Sequence, residues 1–249
     1  MDLVIRNVHY VNEGQIEHGD ILIRNGRFEH IGSQVQAPQG AREINAEGLT
    51  LIPGLIDDQV HFREPGLTHK ACIATESRAA VAGGVTSFMD MPNVNPASLN
   101  VDLLEERYAI AANTSPANYS FYLGVSNDNA EDALKINQFK NQICGLKIFM
   151  GSSTGNMLVD NIITLEKIFS ESEVLIATHC ESEPVIHRNK AELLAQGASL
   201  DHARFHPLIR DVEACFESSL SAIQLAQKFD TRLHILHLTT EKELNLFTN

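Results

Sequence analysis

PGLIDDQVHFREPGLTHKACIATESRAAVAGGVTSFMDMPN, residues 53 to 93, carries a strand, a loop, a helix and a second strand in one continuous run. Apolar residues Leu49, Leu51, Ile52, Leu55 and Ile56 lead into an alternation, with Asp57, Gln59, His61 and Arg63 on one side and Asp58, Val60 and Phe62 on the other. The alternation predicts an extended strand, Leu51 to His61, because successive side chains of a strand point to opposite faces. An acid, an amide, an imidazole and a guanidinium on one face are costly to bury unless a metal or an anion pairs them. The alternative is a strand running out into solvent, with His61 and Arg63 simply hydrated. A helix is predicted from about Lys70 to Val81, stopped by Gly83-Gly84, and Val85 to Met89 forms the next strand.

The same grammar repeats toward the C-terminus at a spacing of roughly 30 residues, the pattern of βα units around a parallel sheet. A helix over Leu99–Ala112, a strand over Tyr119–Val125, a helix over about Asn129–Phe139 and a strand over Ile143–Phe149 come next. There follow a helix over Ile162–Phe169, a strand over Val174–His179, a helical region broken at Phe205–Arg210 and resumed over Asp211–Lys228, and a strand over Leu233–Leu238. Residues 1 to about 50 differ. Leu3–Val11, Asp20–Arg24 and Arg27–Ile31 read as short strands, the last two joined across Asn25-Gly26, a pair that favours a type I′ hairpin. The expected class is α/β: a small β module over 1–50, then about six βα units over 51–249, where a closed eight-stranded barrel takes about 250 residues by itself.

Across 249 residues the chain is 43% hydrophobic and 20% charged, which suits a globular protein with a sizeable core. A formal net charge of −13, without Lys/Arg clusters, argues against nucleic acid or an anionic membrane as partner. Cys72, Cys144, Cys180 and Cys215 are widely spaced with no CxxC pair, so neither a zinc ribbon nor a disulfide framework is indicated, and a reducing cytoplasm is expected. The N-terminus MDLVIRNVHYV lacks a basic n-region, and no apolar run approaches the ~18 residues of a membrane span.

Three strand ends concentrate reactive side chains. Lys147 lies in the apolar GLKIFM, where a buried ammonium without a partner is disfavoured and loses proton affinity; the alternative is a strand-end lysine reaching water. His179 closes VLIATH, as a ligand or as a hydrogen-bonded surface residue. In HILHLTT, His234 and His237 are three apart on the predicted strand and so point to opposite faces. Arg63 and Asn93 follow the first and second predicted strands; a guanidinium and an amide on one rim suit a carboxylate, whereas an Asn in a Pro-rich turn is also common.

The run from Pro53 to Gly66 resembles the first barrel strand of the amidohydrolase superfamily, P-G-x-I-D-x-H-x-H, and more narrowly that of the dihydroorotases, in which it continues into an arginine and REPG. Gln59 stands where the family usually has the first histidine, and an amide oxygen is a poorer zinc ligand than imidazole. The resemblance implies an N-terminal half of a β-sandwich and a TIM-type barrel, here about six of eight units. It implies that Lys147 reacts with carbon dioxide to give a carbamate bridging two metals, with His179 and His237 as further ligands and His61 contributing. His237, ahead of Leu238-Thr239-Thr240, matches the family's ligand position, and His234 is expected on the outer face. One or two zinc ions are the expected cofactor, and Arg63 with Asn93 the carboxylate grip on dihydroorotate.

The function this implies is a zinc-dependent hydrolase of pyrimidine biosynthesis that interconverts N-carbamoyl-L-aspartate and L-dihydroorotate. A metal-activated water would attack the ring amide, and an aspartate would shuttle the proton. That aspartate follows the family's eighth strand and is expected beyond Asn249, so no catalytic residue is assigned within the chain and the 249 residues alone are expected to be inactive. A truncated reading frame, an engineered fragment and a piece of a longer polypeptide are equally compatible with this. Alternatives are a hydantoinase, dihydropyrimidinase or allantoinase, which share the lysine and histidine motifs, and a non-catalytic scaffold, which Gln59 would suit. An open six-stranded sheet exposes its edges, so a homodimer is expected to cover them.

Overall fold

The computed structural model describes residues 2–151 and 156–247 and divides into two compact units, Met1–Leu55 and Ile56–Asn249. The first is a five-stranded sheet: β1 (Leu3–Asn12), β2 (Gln15–Arg24), β3 (Arg27–Gly32), β4 (Arg42–Asn45) and β5 (Thr50–Leu51). Strands β1, β2 and β3 form an antiparallel meander, and β4 and β5 both lie parallel to β1. Asn25 and Gly26 have φ of 51° and 72°, the double positive φ of a type I′ turn. Glu13 and Gly14, at 50° and 75°, make a second such turn, which starts β2 five residues before the sequence pattern indicated. Val4, Val8, Ile21, Leu22, Val35 and Ala46 supply its buried apolar side chains.

The second unit contains six strands: β6 (Leu55–Val60), β7 (Val85–Asp90), β8 (Asn118–Gly124), β9 (Gly145–Phe149), β10 (Ile176–His179) and β11 (Leu233–Ile235). They lie side by side in chain order, and the registers described from β7 to β11 are all parallel. The connecting helices are α1 (Ile73–Ala82), α2 (Val101–Thr114), α3 (Ala130–Leu134, extended as 3-10 turns to Phe139), α4 (Ile162–Glu171), α5 (Glu183–Ala195), α6 (His206–Ile209) and α7 (Val212–Phe229), followed by α8 (Glu241–Leu244). Asn100 and Asp211 cap α2 and α7 by accepting from Leu103 N and Ala214 N, both at 2.9 Å. Among the described residues no helix is long and apolar enough to cross a membrane.

The expected first barrel strand was too long. Pro53, which has no N–H to give a ladder, separates β5 from β6, and Thr50 and Leu51 pair instead with His9 and Tyr10 of β1. Alternation along the central strands then sorts the side chains into two layers. Phe88, Phe121, Leu123, Leu146, Ile148 and Ile176 pack outward against helix residues such as Leu104, Leu165, Ile168 and Leu225. The opposite face holds a smaller apolar cluster, Met91, Tyr122, Ala177 and Leu236. His234 Nε2 lies 3.0 Å from Asp58 Oδ2, a contact between the two edge strands β11 and β6. A flat six-stranded sheet would keep its edges well over 20 Å apart at about 4.8 Å per strand, so this sheet is curled into a half-barrel.

Candidate metal centre

Lys147 is paired in register with Ala177 and Phe149 with His179, which places Lys147 and His179 on the inner face, one pleat apart on neighbouring strands. Lys147 is 1% exposed, and its Nζ is buried without a hydrogen-bond partner, 4.4 Å from the centre of the Phe149 ring. Burial brings its pKa down to about 7. His179 Nδ1 lies 3.0 Å from His237 Nε2, and only one proton fits between the two nitrogens. With that proton gone, two lone pairs face one gap. Burial, then the neighbouring His179 and the Lys147 charge, hold His237 below its ordinary pKa, which favours that neutral form.

His237 reaches this gap by leaving the strand. β11 ends at Ile235, and His237 has φ of 41°, so alternation no longer governs which way it points. His234, by contrast, is in register with Ala177 and so stands on the inner face, where it meets Asp58; the expectation that it faces outward is corrected. The assumption that failed was a strand unbroken through His237.

His61 follows the last residue of β6 and is held from both flanks. Met91 N donates to Val60 O at 3.0 Å, and Phe62 N donates to Asp90 Oδ1 at 3.1 Å. Asp90 in turn meets Arg107 at 2.5 Å, both side chains being 0% exposed. His61 Nδ1 is 2.9 Å from Asn93 Oδ1, an acceptor, so the proton sits on Nδ1 and Nε2 keeps its lone pair. Burial lowers the His61 pKa, and the Arg63 charge lowers it further. Arg63 adopts φ of 66°, which ends the alternation on which its shared face with Gln59 was argued. Its loop is pinned to that of Asn93: Asn95 N donates to Pro65 O at 3.1 Å, and a Cβ on Gly66 (φ 78°) would sit 1.9 Å from Asn95 O. Gln59 is half-buried, and its backbone N–H donates to Asp57 Oδ1 at 3.1 Å.

Residues 48–189 match the family profile described as Dihydro-orotase-like. The chain belongs to that family. Curated relatives of this dihydro-orotase-like chain include an allantoinase from Solibacter usitatus, 32% identical over 96% of this chain and 52% of its own length. A dihydroorotase from Methanosarcina acetivorans is 33% identical over 96% of this chain and 50% of its own length. The fold superposes on the L-hydantoinase (dihydropyrimidinase) of Arthrobacter aurescens with a TM-score of 0.90 at 24% identity, covering 98% of this chain and 55% of that one. The chain thus spans about half the length of the proteins it matches, and it carries the curled half-barrel part of their fold.

Dihydro-orotase-like proteins are generally metal-dependent, and the residues present suit a metal. Two zinc–nitrogen bonds of about 2.0–2.1 Å at a tetrahedral angle set the nitrogens roughly 3.3 Å apart, close to the 3.0 Å between His179 and His237. Lys147 Nζ is the orphaned buried group beside them. No group of three or more His, Cys, Asp or Glu converges among the described residues, and beside the two histidines a carbamylated Lys147 would supply an oxygen donor. Sequence reasoning missed Glu181 and Arg210. Glu181 Oε2 lies 2.9 Å from His179 Nε2 and accepts from Arg210 Nη1. Burial works to raise the Glu181 carboxyl, but the His179 hydrogen bond and the Arg210 charge outweigh it and hold it below its ordinary pKa. A carboxylate two residues after a candidate ligand was the available signal.

Proposed function

We propose that the chain carries the metal-binding and carboxylate-binding part of a zinc-dependent dihydroorotase of de novo pyrimidine biosynthesis. Within it His179 Nδ1 and His237 Nε2 are the nitrogen ligands of one ion and Lys147 its carbamate ligand, while His61 Nε2, with Gln59 beside it, is the ligand of a second, weaker site. Gln59, whose amide oxygen is a weak donor, makes one firmly held ion the expected content. Lys147 is half deprotonated at pH about 7. Its amine adds to carbon dioxide, forming an N–C bond and releasing a proton to solvent, and the misplaced cation becomes an anionic oxygen donor. The metal, when bound, polarises the amide carbonyl and lowers the pKa of water toward about 7.

The observation that carries the choice of substrate is the surroundings of His61, which bonds Asn93 and feels the Arg63 charge. L-dihydroorotate bears a carboxylate on its ring, which a guanidinium and an amide can grip together. Dihydrouracil is the same ring without it. The zinc-loaded protein is expected to bind L-dihydroorotate at least 100-fold more tightly than dihydrouracil by calorimetry, with Arg63→Met removing the preference. Equal affinity for the two would overturn the reading. The 32% identity to an allantoinase favours a second reading, an allantoin- or hydantoin-type ring amide as substrate; tighter binding of allantoin than of dihydroorotate would select it. A wild-type protein that binds none of these rings would instead be the non-catalytic scaffold. The four cysteines are all free, in keeping with a cytoplasmic location.

A further inference from the structure

His179 is held on both ring nitrogens, and the side away from His237 is the more elaborate. Nε2 faces Glu181 Oε2 at 2.9 Å, and the same carboxylate oxygen accepts from Nη1 of Arg210. An ionised carboxylate only accepts, so the His179 proton stands on Nε2 and the lone pair on Nδ1, the nitrogen that looks toward His237. Glu181 follows β10 directly, whereas Arg210 closes α6, 29 residues later, so two separate elements converge on one carboxylate. Their side chains are only 14% and 21% exposed, unlike those of a solvated surface ion pair. Backbone packing fixes the position too: a Cβ on Gly151 would lie 2.6 Å from Glu181 Cβ and 2.8 Å from its carbonyl oxygen.

We propose that Glu181, anchored by Arg210, is a positioning residue that fixes the His179 ring as an Nδ1 donor to a divalent metal ion. Without it the ring is free to rotate about its terminal torsion and loses the electron density that an adjacent carboxylate lends to the distal nitrogen. The inference rests on the metal reading proposed above.

The test is zinc titration of the metal-free protein against a chromophoric chelator, with the His179 ring N–H followed by ¹⁵N NMR. Glu181→Ala is expected to weaken zinc binding by about 10- to 100-fold. Glu181→Gln, which keeps an acceptor, should restore part of that loss, and adding Arg210→Met to Glu181→Ala should weaken binding no further. The metal-free wild type should show a protected Nε2–H that Glu181→Ala abolishes, at an unchanged melting temperature. If Glu181→Ala does not fold, Glu181→Gln and the wild-type proton signal decide. Wild-type zinc uptake with unchanged affinity in the Glu181 variants, or a His179 proton on Nδ1, would overturn the clamp alone. A wild type that takes up no zinc would overturn the metal reading and the clamp with it.

Discussion

Lys147 holds its amine on the inner face of β9 with no hydrogen-bond partner, and burial brings its pKa to about 7. In the unfolded chain the same amine titrates near about 10.4, so between these values the unfolded state binds the extra proton and stability rises with pH. Above about 8.5 the cysteines oppose this: Cys144 and Cys215, pushed up to about 12 and about 11, stay protonated in the fold while unfolded thiols ionise. The window is therefore pH 7 to 8.5. Metal-free protein in bicarbonate-free buffer should gain on the order of 1 kcal/mol across it in denaturant unfolding, the part of the Lys147 gain that the unfolded thiols do not offset. Lys147→Met should flatten that slope and stabilise the metal-free protein at pH 7 by on the order of 3–5 kcal/mol. A wild-type stability that falls from pH 7 to 8.5 would contradict the assignment. Asp90 and Arg107 make the reverse case, a fully buried pair that also ties Phe62 N beside His61. Asp90→Ala leaves the guanidinium unpaired and should cost about 3–5 kcal/mol, much of it recovered when Arg107→Met is added. Thermal or denaturant unfolding of the two variants measures both.

At the level of elements, the βα order and most boundaries were legible because their signals are local. Gly83-Gly84 ends α1, and the outward faces of β8 and β9 carry Phe121, Leu123, Leu146 and Ile148. What was not legible depends on chain segments meeting. His234 and Asp58 are brought together only by the curl of the sheet, and the left-handed φ of His237 has no local mark in HILHLTT. Glu181 and Arg210 lie on separate elements, and Asn93 was read as a substrate group alone although its Oδ1 is already engaged by His61. Loop contacts of this kind make their own prediction. Gly66→Ala would force the Arg63 loop off Asn95, so it should weaken dihydroorotate binding about as much as Arg63→Met while leaving zinc affinity within about twofold. Parallel calorimetric titrations with zinc and with dihydroorotate check this, and equal losses for both would contradict it.

For the whole molecule, the half-barrel brings Lys147, His179 and His237 to one rim and leaves β6 and β11 as edge strands. Edges of this kind favour association, and sedimentation is expected to report a homodimer in our proposal. Glu181, the carboxylate nearest the two histidines, is engaged by His179 and Arg210. With that carboxylate occupied, our proposal expects these residues to bind dihydroorotate without turning it over, and turnover in a direct assay would contradict that. The central claim is that three side chains from β9, β10 and the end of β11 form one metal seat. Anomalous diffraction at the zinc edge, from crystals grown with zinc and bicarbonate, tests it most directly. The account predicts a peak between His179 Nδ1 and His237 Nε2, with carbamate density on Lys147. A peak elsewhere, or none, with Lys147 still a free amine, would contradict it.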